Sequence, residues 1–259
     1  MDHPLPIVRM SRREVIQGLA AGSVVVLAPG CAYNEELGRS QLLFVSPDQM
    51  AQLASSAWGD LKKQEKITSD PKYVDRVRRV APRIISASGG DPAGWEVQVF
   101  QSKDLNAFAL PGGKIGFYTG ILDIMDNDDQ IATVMGHEVA HVNYNHAGER
   151  YSQSTLAQTG LSVAQVAVSG AQYQNQILAV LGAGATLGVI LPYSRKHELE
   201  ADRFGLRYMH RAGYDPDEAL AFWRKMSAQQ KGSPPEFLST HPADSTRIAQ
   251  LQREIALLQ

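Results

Sequence analysis

The chain has 259 residues, a formal net charge of −2, 20% charged and 44% hydrophobic residues, enough for one compact domain or two small ones with an ordinary core. The absence of a basic surplus argues against a nucleic-acid partner. The single cysteine, Cys31, excludes an internal disulfide and a multi-cysteine zinc site.

Residues 1–30 read as an export signal. A basic start at Arg9, Arg12 and Arg13 precedes an apolar run from Val15 to Leu27, then small residues. The run is short for a transmembrane helix. LAPGC resembles the lipobox of bacterial lipoproteins, in which the cysteine is acylated and becomes the mature N-terminus. Gly30 fits that pattern, whereas Ala28 stands where leucine is usual. Lipidation of Cys31 is the expectation, with ordinary cleavage the alternative. SRREVI suits a twin-arginine signal or a general secretory one. Ala32 after the cysteine lacks the aspartate of inner-membrane retention. The expectation is an exported lipoprotein facing the periplasm, held to the outer membrane by its lipid in a Gram-negative cell.

Residues 31–45 read as a tether, and 46–259 as the folded domain. Ser46-Pro47-Asp48-Gln49 is a helix start, with Ser46 as N-cap and Gln49 closing a capping box. Asp70-Pro71 repeats the signal, and Val74, Val77, Val80 and Ile84 share one face. Gly89-Gly90-Asp91-Pro92 breaks the chain. WEVQVF alternates as a strand. NAFALPGGKIGFYTGIL reads as an extended pair turning at Pro111-Gly112-Gly113. A helix starts within Asp126–Gln130 and runs through His137. The apolar region 160–191 reads as packed helices or a membrane-contacting hairpin. SRKHELEADRFGLRYMHRAG is an amphipathic helix closed by Gly213, and Asp215-Pro216 starts another. Residues 228–240 read as loop, and a last helix carries Ile248, Leu251, Ile255 and Leu258. The order predicts an α+β fold, mainly α, with a small β-sheet.

The chemistry concentrates in VMGHEVAHVNYNHAGER, Val134 to Arg150. Each helical residue advances ~100°, so His137 and His141 lie about 40° apart, one turn along, and both can reach one metal ion. Glu138 sits beside that ion. This is what H-E-x-x-H requires: two zinc ligands and a carboxylate base for water. The bland alternative is a helix with two surface histidines. If the helix continues, His146 points about 180° from His137, to the opposite face. It then reads as a polar or packed residue and not a ligand.

A catalytic zinc needs a third protein ligand, and HELEADRFG offers one. Glu198 and Asp202, four apart, share a helix face. Glu198 reads as the ligand. Asp202 can accept the other ring N–H of a ligating histidine and fix its tautomer. Glu200 points away and reads as solvated. Arg195, one turn before Glu198, is placed to support these carboxylates or the substrate.

Together GHEVAHVNYNHAGER, SRKHELEAD, NAFALPGGKIGFYTGIL and the late STHP resemble metallopeptidase family 48, which includes the HtpX-like and CAAX prenyl protease-like enzymes. The resemblance covers roughly residues 50–255. It implies a gluzincin-type zinc metallopeptidase fold with one zinc per chain on His137, His141 and Glu198. Glu138 would be catalytic and Asp202 would stand behind the ligands. His241 of STHP matches a histidine near the metal, able to steady an oxyanion or to occupy the fourth site and hold the enzyme latent. Unlike membrane-embedded members, this chain shows no clear transmembrane helix.

The expected function is zinc-dependent endoproteolysis in quality control of misfolded envelope proteins. The segment Asn106, Ala107, Phe108, Ala109 and Leu110 would hold extended or unfolded substrates by strand addition, unless it is simply a core hairpin. Two other classes stand against this: an envelope chaperone or assembly lipoprotein with a latent zinc site, and a metal-free binding lipoprotein.

Overall fold

The computed structural model describes residues 31–159, 193–228, 236–242 and 245–258. The export signal and the region 160–191 lie outside the described residues. Among the described residues there are five strands: β1 (Cys31–Asn34), β2 (Arg39–Leu42), β3 (Glu96–Phe100), β4 (Ala107–Leu110) and β5 (Lys114–Tyr118). Nine helices are described: α1 (Pro47–Gln64), α2 (Pro71–Ala87), α3 (Thr119–Asp123), α4 (Asp128–Asn143), α5 (His146–Thr159), α6 (Arg195–Arg211), α7 (Asp217–Ala228), α8 (Glu236–Thr240) and α9 (Ser245–Ala256). The fold is α+β and mainly helical, as the sequence order implies. Among the described residues, no helix is long and apolar enough to cross a membrane.

Local chemistry places most boundaries. The Ser46 hydroxyl accepts from the Gln49 N–H, and the Gln49 side chain accepts from the Ser46 N–H, so the capping box closes. Asp70 caps α2 through the Lys72 N–H, and Asn127 caps α4 through the Gln130 N–H. Gly213, at φ +74°, ends α6 in the left-handed region that favours glycine.

The three-stranded sheet has the order β3-β5-β4, with β3 parallel and β4 antiparallel to β5. Its alternating side chains divide between two cores. Val99, Ala107, Ala109, Ile115 and Phe117 join the main core with α2, α4, α6, α7 and α9. Phe100, Phe108, Leu110 and Tyr118 face the other way, onto Met50, Trp58 and Leu61 of α1. There Trp58 meets the Phe100 and Phe108 rings edge-on at centroid distances of 5.6 and 6.2 Å. Edge-to-face pairs of this kind add about 0.5–1.5 kcal/mol each beyond burial.

Helices α4 and α6 cross at glycines. A Cβ on Gly136 would lie 2.8 Å from the Gly205 carbonyl oxygen, and one on Gly205 would lie 2.9 Å from the His137 nitrogen. Only hydrogen fits at that crossing, so the backbones approach closely and bring their polar faces together.

Three expectations change. Residues 31–42 are not a tether: β1 and β2 form an antiparallel hairpin, and Gln41 is buried with its amide on Tyr144 O (2.7 Å) and Glu149 Oε2 (3.0 Å). Within 228–240, residues 236–240 form α8 rather than loop. And α4 does not continue to His146. It ends at Asn143, Asn145 takes φ +50°, and α5 starts afresh at His146. The short polar asparagine tolerates that conformation.

Candidate metal centre

His137, Glu138 and His141 project from α4, Glu198 and Asp202 from α6, and His241 follows α8. All six are buried. His137, His141, Glu198 and His241 each offer one ligand atom, and these atoms lie within 4.8 Å of one another. His137 Nε2 is 3.0 Å from His141 Nε2 and 3.2 Å from His241 Nδ1. The Glu198 carboxylate lies 3.4 Å from each Nε2 and 3.0 Å from His241 Nδ1.

The ring tautomers decide what this cluster wants. His137 Nδ1 is 3.0 Å from Asp202 Oδ1, so its proton sits there and Nε2 presents a lone pair. His141 Nδ1 is 3.1 Å from His146 Nδ1, again leaving Nε2 to face inward. Two lone pairs and a carboxylate so close together repel unless a cation lies among them. Tetrahedral zinc with ~2.0–2.1 Å bonds needs ligand atoms about 3.3 Å apart, which the observed 3.0–3.4 Å separations match. The donor set fits zinc.

Electrostatics agree. Burial disfavours a charged His137, yet Glu198 and Asp202 carry it up to about 9. Burial also opposes the Glu198 charge, but His241, Arg247 and His137 hold that carboxyl well below its ordinary range. His141 is pushed well down by burial. The acids thus draw positive charge into the pocket: a proton on His137 when no cation is there, which a bound cation would displace to expose the Nε2 lone pair.

Glu138 stands beside the cluster. Burial raises its pKa, against a lowering pull from the Ala109 backbone. Its Oε1 lies 3.4 Å from His241 Nε2 and has no hydrogen-bond partner. A buried carboxylate with an unoccupied oxygen facing a metal-type donor set can take a proton from water.

Other side chains depart from the sequence reading. Asp202 backs His137, as its spacing suggests. Arg195 is exposed at the start of α6. The carboxylates are held by Arg247 of α9, whose guanidinium donates to Asp202 at 2.6 and 2.8 Å, lies 2.7 Å from Glu198 Oε2, and stacks 3.8 Å from the Trp223 ring. Glu200 is buried rather than solvated, paired with Arg39 at 2.6 and 2.7 Å. His146 is fully buried against His141, because the break at Asn145 turns it back. Tyr193 lies over both the His141 and His241 rings, at 4.0 and 5.2 Å. Arg247, six residues past His241 in a helix start, carried only a weak sequence signal; Arg39 carried none.

Residues 71–255 match the profile described as Peptidase family M48. The chain belongs to peptidase family M48. It is 32% identical to the mitochondrial metalloendopeptidase OMA1 of Schizosaccharomyces pombe over 92% of its own length and 70% of that protein's. It is 33% identical to the mitochondrial metalloendopeptidase OMA1 of Bos taurus over 84% of its length and 45% of that protein's. It is 27% identical to the beta-barrel assembly-enhancing protease of Escherichia coli over 89% of its length and 50% of that protein's. It therefore spans about half the length of the latter two relatives. Members of this family are zinc-dependent metallopeptidases.

Proposed function

We propose that the chain is a zinc-dependent endopeptidase that cleaves extended segments of misfolded cell-envelope proteins, held to the membrane by a lipid on Cys31. The observation that carries the catalytic reading is the convergence of His137, His141 and Glu198 beside the buried Glu138 carboxylate. When bound, zinc supplies Lewis acidity toward water and a peptide carbonyl. His137, His141 and Glu198 would hold it, with Asp202 and Arg247 fixing the His137 ring. Glu138 accepts the proton of the attacking water at its carboxylate and delivers it to the leaving amine.

The edge position of β4 supports strand addition. Tyr118 N–H donates to Asn106 C=O, so by alternation the main chain of Asn106, Phe108 and Leu110 faces β5, and that of Ala107 and Ala109 faces away. Helix α4, which carries Glu138, packs against β4. A peptide on this edge lies beside the base, and main-chain pairing is indifferent to sequence. The packed Phe108 and Leu110 side chains fix the strand from behind.

A latent resting state is favoured by one specific observation: His241 lies among the ligands, not behind them. In that state His241 would be a further donor to the metal, and substrate would have to take its place. Glu138→Gln tests the catalytic reading. It should retain zinc while losing about 10²–10⁴-fold in turnover of an unfolded protein such as casein; undiminished turnover refutes the role.

A further inference from the structure

A second buried polar cluster lies behind His141. It is assembled from four elements: β2 gives Arg39, α5 gives His146 and Glu149, α6 gives His197 and Glu200, and α4 gives His141 itself. His146 Nδ1 is 3.1 Å from His141 Nδ1. His146 Nε2 is 3.2 Å from Glu200 Oε2, off the ideal N–H line. Arg39 grips both oxygens of Glu200, at 2.6 and 2.7 Å, and donates 2.8 Å to Glu149 Oε1. Glu149 Oε2 in turn lies 3.2 Å from His197 Nε2. The Arg39 guanidinium supplies the positive charge here, so the cluster is not a second metal site.

We infer that Arg39 is a positioning residue for the metal ligand His141, acting through Glu200 and His146, so that docking of the N-terminal hairpin and metal binding are coupled. This rests on the reading of His137, His141 and Glu198 as zinc ligands.

The reasoning is a chain of proton assignments. The Glu200 charge, 3.2 Å away, favours the ring proton on His146 Nε2, the nitrogen that faces it, although the two are not aligned as a hydrogen bond. A neutral imidazole has one such proton, so His146 Nδ1 accepts and His141 Nδ1–H donates to it. His141 Nε2 is then left as the lone pair. Arg39 fixes the outer end of the series: its two bonds set the plane and charge of Glu200. His137 obtains the same result from Asp202 in one step, and His141 obtains it in two.

Such partners of ligating histidines change metal affinity by about ten- to hundredfold. Zinc affinity of the full chain, measured by competition with a chromogenic chelator, should fall about ten- to hundredfold in Glu200→Gln and about tenfold in Arg39→Met. The double variant should be no weaker than Glu200→Gln, because both act on one series. Arg39→Lys should recover part of the loss. Coupling is reciprocal, so zinc should slow amide hydrogen exchange at residues 39–42 of the wild type relative to chelator-treated protein. Should Arg39→Met fail to fold, Glu200→Gln and the exchange measurement decide. Tight zinc binding by the wild type with unchanged affinity in the variants, or zinc-independent exchange of the hairpin, overturns the coupling alone. A wild type that binds no zinc overturns the metal reading as well.

Discussion

The two imidazoles of the H-E-x-x-H helix point their outer nitrogens into opposite surroundings. His137 meets a carboxylate directly, Asp202, which Arg247 clamps from the far side. His141 meets one at a remove, through His146 to Glu200, with Arg39 beyond. The first arrangement needs only two helices, α6 and α9. The second needs a broken helix and a hairpin some hundred residues upstream. The same orientation problem has a compact solution and a distributed one, and the distributed one ties more of the chain to the site.

The largest expected effect tests that asymmetry. Asp202→Ala removes the main partner of a buried guanidinium, and breaking a buried pair costs about 3–5 kcal/mol. Glu200→Ala should cost less, because the Arg39–Glu200 pair is less deeply buried, with side chains 10% exposed against 2% and 1% for Arg247 and Asp202. Denaturant unfolding of both variants in chelator measures the difference; equal losses break the comparison. Gly136→Ala strikes both sides at once by wedging α4 from α6, since its Cβ would meet the Gly205 carbonyl oxygen at 2.8 Å. It should cost about 1–3 kcal/mol, read as a lower melting temperature with weakened zinc binding.

Asn145→Ala should act on the His141 side only. Its left-handed backbone costs an alanine about 1 kcal/mol, with a modest loss of zinc affinity and no change at Asp202. The smallest effect is on pH dependence. Although burial opposes its charge, His197 and Arg39 hold Glu149 well below the ordinary 4.5. Its folded pKa is depressed, so its stabilisation is full above about pH 4.5 and is lost as pH falls toward the folded value. The stability gap between wild type and Glu149→Gln, measured on chelator-treated protein, should therefore close on acidification from pH 7 to pH 3. A gap that widens contradicts the pairing.

The comparison also explains what the sequence could convey. Helix-capping signals at Ser46 and Asp70 and the H-E-x-x-H and E-x-x-x-D spacings are local, and each appears where the spacing put it. Asp202 was legible because it shares a helix face with Glu198. His146 is packed and not among the ligand atoms, as its spacing suggests, but its direction is not legible: a 100° advance assumes an unbroken helix, and one asparagine at φ +50° turns it back. Glu200 looked solvated because its helix was considered alone; the hairpin that covers it lies at Arg39, and segment 31–45 has neither length nor periodicity enough to announce strands. Arg247 was missed for a related reason: an arginine in an amphipathic helix is ordinary until its neighbours are known.

The central claim is that His137, His141 and Glu198 hold one zinc beside a working Glu138. Elemental analysis with a casein cleavage assay, run together on wild type, Glu138→Gln and His137→Ala, tests it most directly. The account predicts one zinc per chain in the first two and none in the third, with cleavage in the wild type alone. Wild type without zinc, or His137→Ala that keeps both metal and activity, would contradict it.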